Sequence, residues 1–400
     1  MVVSSQKTRN PSTSCSHYLS DHDCFGQVIT TLESHLPLHI HGSLTPETYF
    51  TQLLCLCLNR ESIHSAQKLF QNYLSETAFR HHLNKFTLDG LLAANSELLW
   101  SCAAPHLSAE KEYECAIDYT HDPYYGKIDA SNEIFVTRGQ RKKSTTKFYT
   151  YATLSLINKN ERFTLAVLPV KRGGETVEYV KALVSVLDRH NIRPKLLCMD
   201  GGFYSIEVMR FLQERRIPYV IPAPNRYGRL RKIYTTTKKQ QRVEYVMSGG
   251  KKTSLSITLG VVVKRIPKGG KQVRDKYVYA LYGVDNWSLK TIAKKYKHRF
   301  AIEATYRIRN ELKPRTSTKN PVTRYLFALV AFVLENCWVA TQIHYFTRRQ
   351  RGPKVVDEDK LPLHLFVALV KRQIRMIVGE VTRVQCGGRG TENTIWRGKN

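Results

Sequence analysis

Three acidic residues, far apart in the chain, sit where carboxylates could serve phosphoryl transfer. Asp118 closes the apolar run Cys115-Ala116-Ile117, and Asp200 closes a second one, Leu196-Leu197-Cys198-Met199, directly before Gly201-Gly202. Glu303 lies inside a basic amphipathic stretch, residues 296–312. Mg²⁺ is a hard, octahedral ion that favours carboxylate oxygens. Two such ions about 3.5–4 Å apart can activate an attacking oxygen and stabilise a leaving one. One aspartate shared by both ions and one further acid for each meets that need, so the trio points to two-metal chemistry on a nucleic-acid backbone. The small residues after Asp200 let a phosphate or a metal come close to the main chain; the plainer reading makes Asp200 the N-cap of a helix starting near Ser205. Asp122, Asp129, Glu207 and Glu311 are fallback acids, with Asp122 read as part of a turn in Asp122-Pro123-Tyr124-Tyr125-Gly126.

Read as one helix, the stretch around Glu303 puts Tyr296, Arg299, Glu303, Arg307 and Asn310 within roughly 40° of one direction. Ala301, Ala304, Ile308 and Leu312 fall opposite and would dock on the edge of a sheet. The polar side would present a carboxylate between two arginines able to grip phosphates of a scissile strand. The bland alternative is a solvated ion-pair face, since the arginines stand four residues either side of Glu303.

The whole chain suits an anionic partner. Its 62 Lys and Arg against 33 Asp and Glu give a net charge of +29, spread along the sequence and not confined to a tail. Such an excess favours an extended nucleic-acid surface. A membrane is not expected: there is no isolated basic amphipathic anchor, the first residues lack an apolar core, and the apolar stretch 325–340 is interrupted by Glu335 and Asn336, which predicts a buried core helix. The nine cysteines include no Cys-x-x-Cys pair. Reduced thiols, no structural zinc and a cytoplasmic, nucleoid-associated location follow.

These residues need elements to position them. Residues 1–40 are Ser- and His-rich and expected to be loosely ordered. Residues 41–110 carry a helical period throughout and form the expected DNA-binding domain. Within them, 63–70 and 75–86 have the size of a helix-turn-helix whose second helix would present Arg80 and Lys85; a plain bundle with a basic face is the competing reading. From residue 113 the pattern turns to strands: 114–119, 148–157 and 162–169, then a helix (175–189), a strand (195–199), a helix (205–215) and a strand (218–221). This is the order of an α/β ribonuclease-H-like core, in which the first and fourth strands are neighbours and would bring Asp118 and Asp200 together. Residues 224–285 read as an inserted β-subdomain with basic hairpins. The catalytic domain would span 111–345, leaving a basic C-terminal helical segment and a mobile tail at 346–400. Tyr124, Tyr125, Tyr204, Tyr227 and Trp287 could stack on unpaired bases.

The blocks Ile117-Asp118-Tyr119-Thr120 with Pro123-Tyr124-Tyr125-Gly126, Asp200-Gly201-Gly202-Phe203-Tyr204-Ser205, and the spacing Tyr296-x₂-Arg299-x₃-Glu303 together resemble the DDE transposases of prokaryotic insertion sequences. The resemblance is to the insertion-sequence-four-like group and its ISH-type relatives, over about residues 113–345. It implies a retroviral-integrase-like core with the β insertion between the second Asp and the Glu. It also implies cleavage at element ends with two Mg²⁺ ions (Mn²⁺ able to substitute), strand transfer into double-stranded DNA as target, and a homodimer holding both ends. Asp118, Asp200 and Glu303 would be the metal ligands, and Tyr296 and Arg299 would contact the DNA end. The pattern's Lys seven residues after the Glu is Asn310 here; Arg307 or Lys313 could replace it. A structure-specific nuclease of the same fold and a catalytically silent DNA-binding descendant are the rival functions.

Overall fold

A computed structural model describes residues 18–36, 38–40, 44–108, 110–225, 228–250, 253–268, 271–348 and 355–383. Tyr227, Cys15, Cys386, most of the residues expected to be loosely ordered before Tyr18, and the tail after Arg383 lie outside that set.

The chain opens with five helices: α1 (Asp21–His35), α2 (Pro46–Asn59), α3 (Ile63–Leu69), α4 (Glu76–Leu83) and α5 (Leu88–Ala103). Each begins at a side-chain cap, respectively Ser20, Thr45, Ser62, Ser75 and Thr87, whose oxygen accepts an N–H of the first turn. Helix α1 corrects the expectation of loose order before residue 40. Ser20 and Asp23 close a reciprocal capping box, and Cys24, Phe25, Val28, Ile29 and Leu32 form its buried stripe.

Strands β1 (Glu112–Pro123), β2 (Val136–Lys142), β3 (Thr145–Leu156) and β4 (Thr164–Pro169) follow. Then come α6 (Thr176–Arg189), β5 (Arg193–Met199), α7 (Ile206–Glu214), β6 (Tyr219–Pro222), α8 (Arg229–Thr236), β7 (Gln241–Ser248), β8 (Ser254–Lys268) and β9 (Lys271–Tyr282). The nine strands make one mixed sheet in the order β2-β3-β1-β5-β6-β9-β8-β7, with β4 also on β3. β1 runs antiparallel to β3 and parallel to β5, and β5 is parallel to β6. This is the α/β arrangement the strand and helix order predicts. Two features differ. β2 was not foreseen; its exposed, basic Arg138–Lys142 portion lacks the alternation that marks a strand. Strands β7–β9 do not stand apart as a subdomain. β9 pairs with β6 from Tyr219↔Tyr282 to Pro222↔Tyr279 and so prolongs the central sheet.

The last part comprises α9 (Leu289–His298), α10 (Ala301–Glu311), α11 (Pro321–Phe346) and α12 (Leu363–Val378). α6 and α7 cover one sheet face and α9 with α10 the other, each over its own apolar core. A third core joins α1, α2, α5, α11 and α12 to the ends of β2 and β3. α11 is the one helix among the described residues long and apolar enough to cross a bilayer, but 89% of its most apolar window is buried. Its polar residues explain why. Asn336 donates to the carbonyls of Leu99 (3.2 Å) and Thr164 (2.7 Å) and accepts from the Thr164 N–H (3.0 Å). Tyr325 donates to the Val167 carbonyl, and Asn95 of α5 accepts from the Val167 N–H. Side chains thus bond the N–H and carbonyl of both Thr164 and Val167 along the outer edge of β4, which would otherwise offer open backbone groups. The seven described cysteines are free and buried.

Candidate active site

β1 and β5 set the site. Their parallel register ends on Ile117↔Met199, so Asp118 and Asp200 follow one another at the same level on adjacent strands. Strand alternation turns residues 114, 116, 118, 120 and 122 to the α9–α10 face. Asp118 is 7% exposed. Its Oδ1 accepts from the Tyr119 N–H (2.9 Å) and its Oδ2 from Arg299 Nη1 (2.7 Å). Burial pushes its carboxyl up to about 6 against the pull of Arg299, and the negative charges of Asp200 and Glu303 push the same way. The three acids therefore share one electrostatic neighbourhood.

Asp200 caps the short 3₁₀ turn Gly201–Phe203, accepting from the Gly202 N–H at 2.8 Å, while Ser205 caps α7 itself. A Cβ on Gly202 would stand 3.0 Å from Asp200 Oδ1, so the glycine keeps that carboxylate's surroundings open. The Phe203 ring stacks on Tyr119 (centroids 4.6 Å apart) and ties this turn to β1.

Glu303 is exposed in the first turn of α10. The expected single helix through 296–312 is broken instead: Arg299 ends α9 and Phe300 starts α10. The break has a visible cause in the burial of Arg299, which turns inward to Asp118 while its guanidinium lies over the Tyr296 and Phe300 rings (5.5 and 5.3 Å). Tyr296 is itself buried against Tyr279 (5.0 Å). Beyond the break Glu303 and Arg307 are exposed as expected, but Ala301, Ala304 and Ile308 turn to α11 and not to the edge of the sheet, which corrects that part of the reading.

Asp122 is part of β1, not of a turn, which corrects the reading given above. It pairs with Arg309 (2.6 Å) and Lys313 (2.7 Å), and Arg309 is completely buried. Against the penalty of burial, those two cations hold its carboxyl well below the usual range; burial in turn lowers Lys313 to about 8. At the other end of β1, buried Glu114 meets Lys295 and His298 of α9. Glu114, Asp118 and Asp122, four residues apart, thus form a carboxylate ladder that grips the α9–α10 segment. The sequence signal for it was the four-residue spacing of acids on one strand face. Thr153, paired with Asp118 across the strands and bonded to the Tyr306 hydroxyl (2.6 Å), carried no such signal.

Of the other expected contacts, Arg80 is engaged by Glu76 four residues earlier, and Lys85 donates to the His39 carbonyl. Tyr124 is buried, with its hydroxyl bonded to the Lys127 carbonyl, and Tyr125 is exposed.

Among the described residues no three acidic, histidine or cysteine side chains converge closely enough to hold a metal ion. The donor set nonetheless fits one in kind. It consists of carboxylate oxygens alone, and the Asp118 carboxyl, raised first by burial and then by its acidic neighbours, is one that a bound cation would return to its charged form.

No curated protein matches the chain at a significant level. Residues 110–333 match the Transposase DDE domain, a family that typically works with a divalent metal on DNA. This span holds all three acids, the β1–β5 register and the extended sheet, and the chain belongs to the DDE-domain transposases.

Proposed function

We propose that the chain is a DNA transposase of the insertion-sequence-four-like group, with a ribonuclease-H-like core, that cleaves the ends of its element and joins them to target DNA. The carrying observation is the parallel β1–β5 pairing, which sets Asp118 beside Asp200, with Glu303 near enough to perturb the same carboxyl. Asp118, Asp200 and Glu303 would hold two Mg²⁺ ions, which would supply charge neutralisation at the phosphodiester and easier ionisation of the attacking hydroxyl. Arg307, exposed one turn beyond Glu303, is disposed to meet a phosphate, and Arg299 holds Asp118 in orientation through its 2.7 Å bond. In this reading Arg299 acts on the DNA end by way of that carboxylate, and Tyr296 supports Arg299 from beneath. A homodimer would hold the two ends.

Asp118→Asn, Asp200→Asn and Glu303→Gln are each expected to abolish cleavage of an element-end duplex while end binding persists in a gel-shift assay. Cleavage near the parent rate in any one variant removes that residue from the site. Release of cut ends without joining to a target plasmid would favour a nuclease instead.

A further inference from the structure

Beyond the three acids, one cavity collects cations from three distant parts of the chain. It is open, ≈ 370 Å³, and sits at the end of β1. Asn310, where the resemblance expects lysine, is part of its wall. Its one carboxylate, Asp122, is already committed to Arg309 and Lys313. Arg60, Lys143 and Arg315 also line it; all three are exposed, and none has an ion-pair partner among the described residues. Asn310 accepts from Arg309 through Oδ1 (3.0 Å), which leaves its amide N–H groups as donors.

Two of these cations occupy backbone where an L-residue is disfavoured. Arg60 caps α2 at φ 55°, and Lys143 begins the two-residue β2–β3 turn at φ 47°. Glycine or asparagine is the usual occupant of both situations. Arginine and lysine there give up local backbone comfort, and both side chains line the same cavity. Strain of this kind gathers at functional sites. A second cavity, ≈ 130 Å³, shares Arg315 and Thr316 with the first and continues past Glu61 to Arg80 of α4, which Glu76 already holds. A track of that extent suits successive phosphates of a strand better than one free anion, and the exposed Tyr125 ring on its wall offers a stacking surface.

We infer that Arg60, Lys143, Arg315 and the Asn310 amide form a backbone-phosphate subsite that guides DNA past the end of β1, supplying from other elements the positive charge missing at position 310. The inference rests on DNA being the substrate and deepens that reading.

The test uses the full chain and a labelled duplex, with binding measured across a salt series. Each phosphate contact contributes roughly 0.9 to the slope of log K against log salt. Arg60→Gly with Lys143→Gly should flatten that slope by about two units while the melting temperature holds or rises, because glycine suits both backbone positions. Arg315→Gln, outside any helix or strand, should flatten it by about one. An unchanged slope in both variants overturns the subsite. That failure differs from failure of the transposase reading, which would appear as a parent chain that neither binds nor cuts the duplex.

Discussion

At the scale of single residues, the acids divide by environment more than by type. Asp118 and Asp122 lie four residues apart on one face of one strand. Asp122 is held ionised by buried Arg309 and half-buried Lys313; Asp118 has one arginine, and burial first, then two acidic neighbours, raise its carboxyl. In the reading proposed above, that contrast separates a structural carboxylate from a reactive one. Removing one member of a buried pair leaves an uncompensated charge, typically costing about 3–5 kcal/mol. Arg309→Met leaves Asp122 with Lys313 alone and is therefore expected to lower the unfolding free energy, read from urea denaturation, by up to about that range. The adjacency of Asp118 and Asp200 was legible because each ends an apolar strand and the element order makes the two strands neighbours. The pairing of Arg299 with Asp118 was not, because it depends on a kink that helical periodicity alone cannot report.

At the scale of elements, α11 shows how a polar residue can mark a core helix. Asn336 uses both its amide N–H groups and its Oδ1 against α5 and β4, whereas Glu335 Oε2 is buried with no partner among the described residues. Glu335 faces a small cavity (≈ 70 Å³) between α10 and α11, and burial pushes its carboxyl up to about 8, with Thr305 bonding pulling the other way. A carboxyl raised on folding binds its proton more tightly in the native state. Stability is then greatest below the unfolded value and falls as pH rises through about 8. Glu335→Gln should remove most of this decline and stabilise the chain at pH above 8 by on the order of a few kcal/mol, read by chemical denaturation at several pH values. Most helices and strands were visible in the sequence through caps and alternation. β2 escaped because a solvated basic hairpin lacks an apolar face, and the place of β7–β9 escaped because pairing partners distant in sequence leave no periodic trace.

At the scale of the whole molecule, the N-terminal helices and the last two long helices share one core. Phe25, Leu32, Leu53, Leu98, Leu334, Phe366 and Ile374 belong to it together. A division of labour drawn along the sequence, with DNA recognition first and catalysis second, thus does not correspond to separable packing. A chain beginning at residue 108 is expected to lose the cooperative melting transition of the full protein, because α11 would expose the surface that α1, α2 and α5 cover; a sharp, unshifted transition by circular dichroism would contradict this. The sealing of β4 has its own bearing on assembly. Strand addition there would require Asn95, Tyr325 and Asn336 to surrender their bonds to its backbone, so a second copy is not expected to continue the sheet along β4. A paired complex that extends the sheet must use β2 or the opposite rim at β7, and cross-linking sites introduced along β4 should stay silent when two copies meet on DNA.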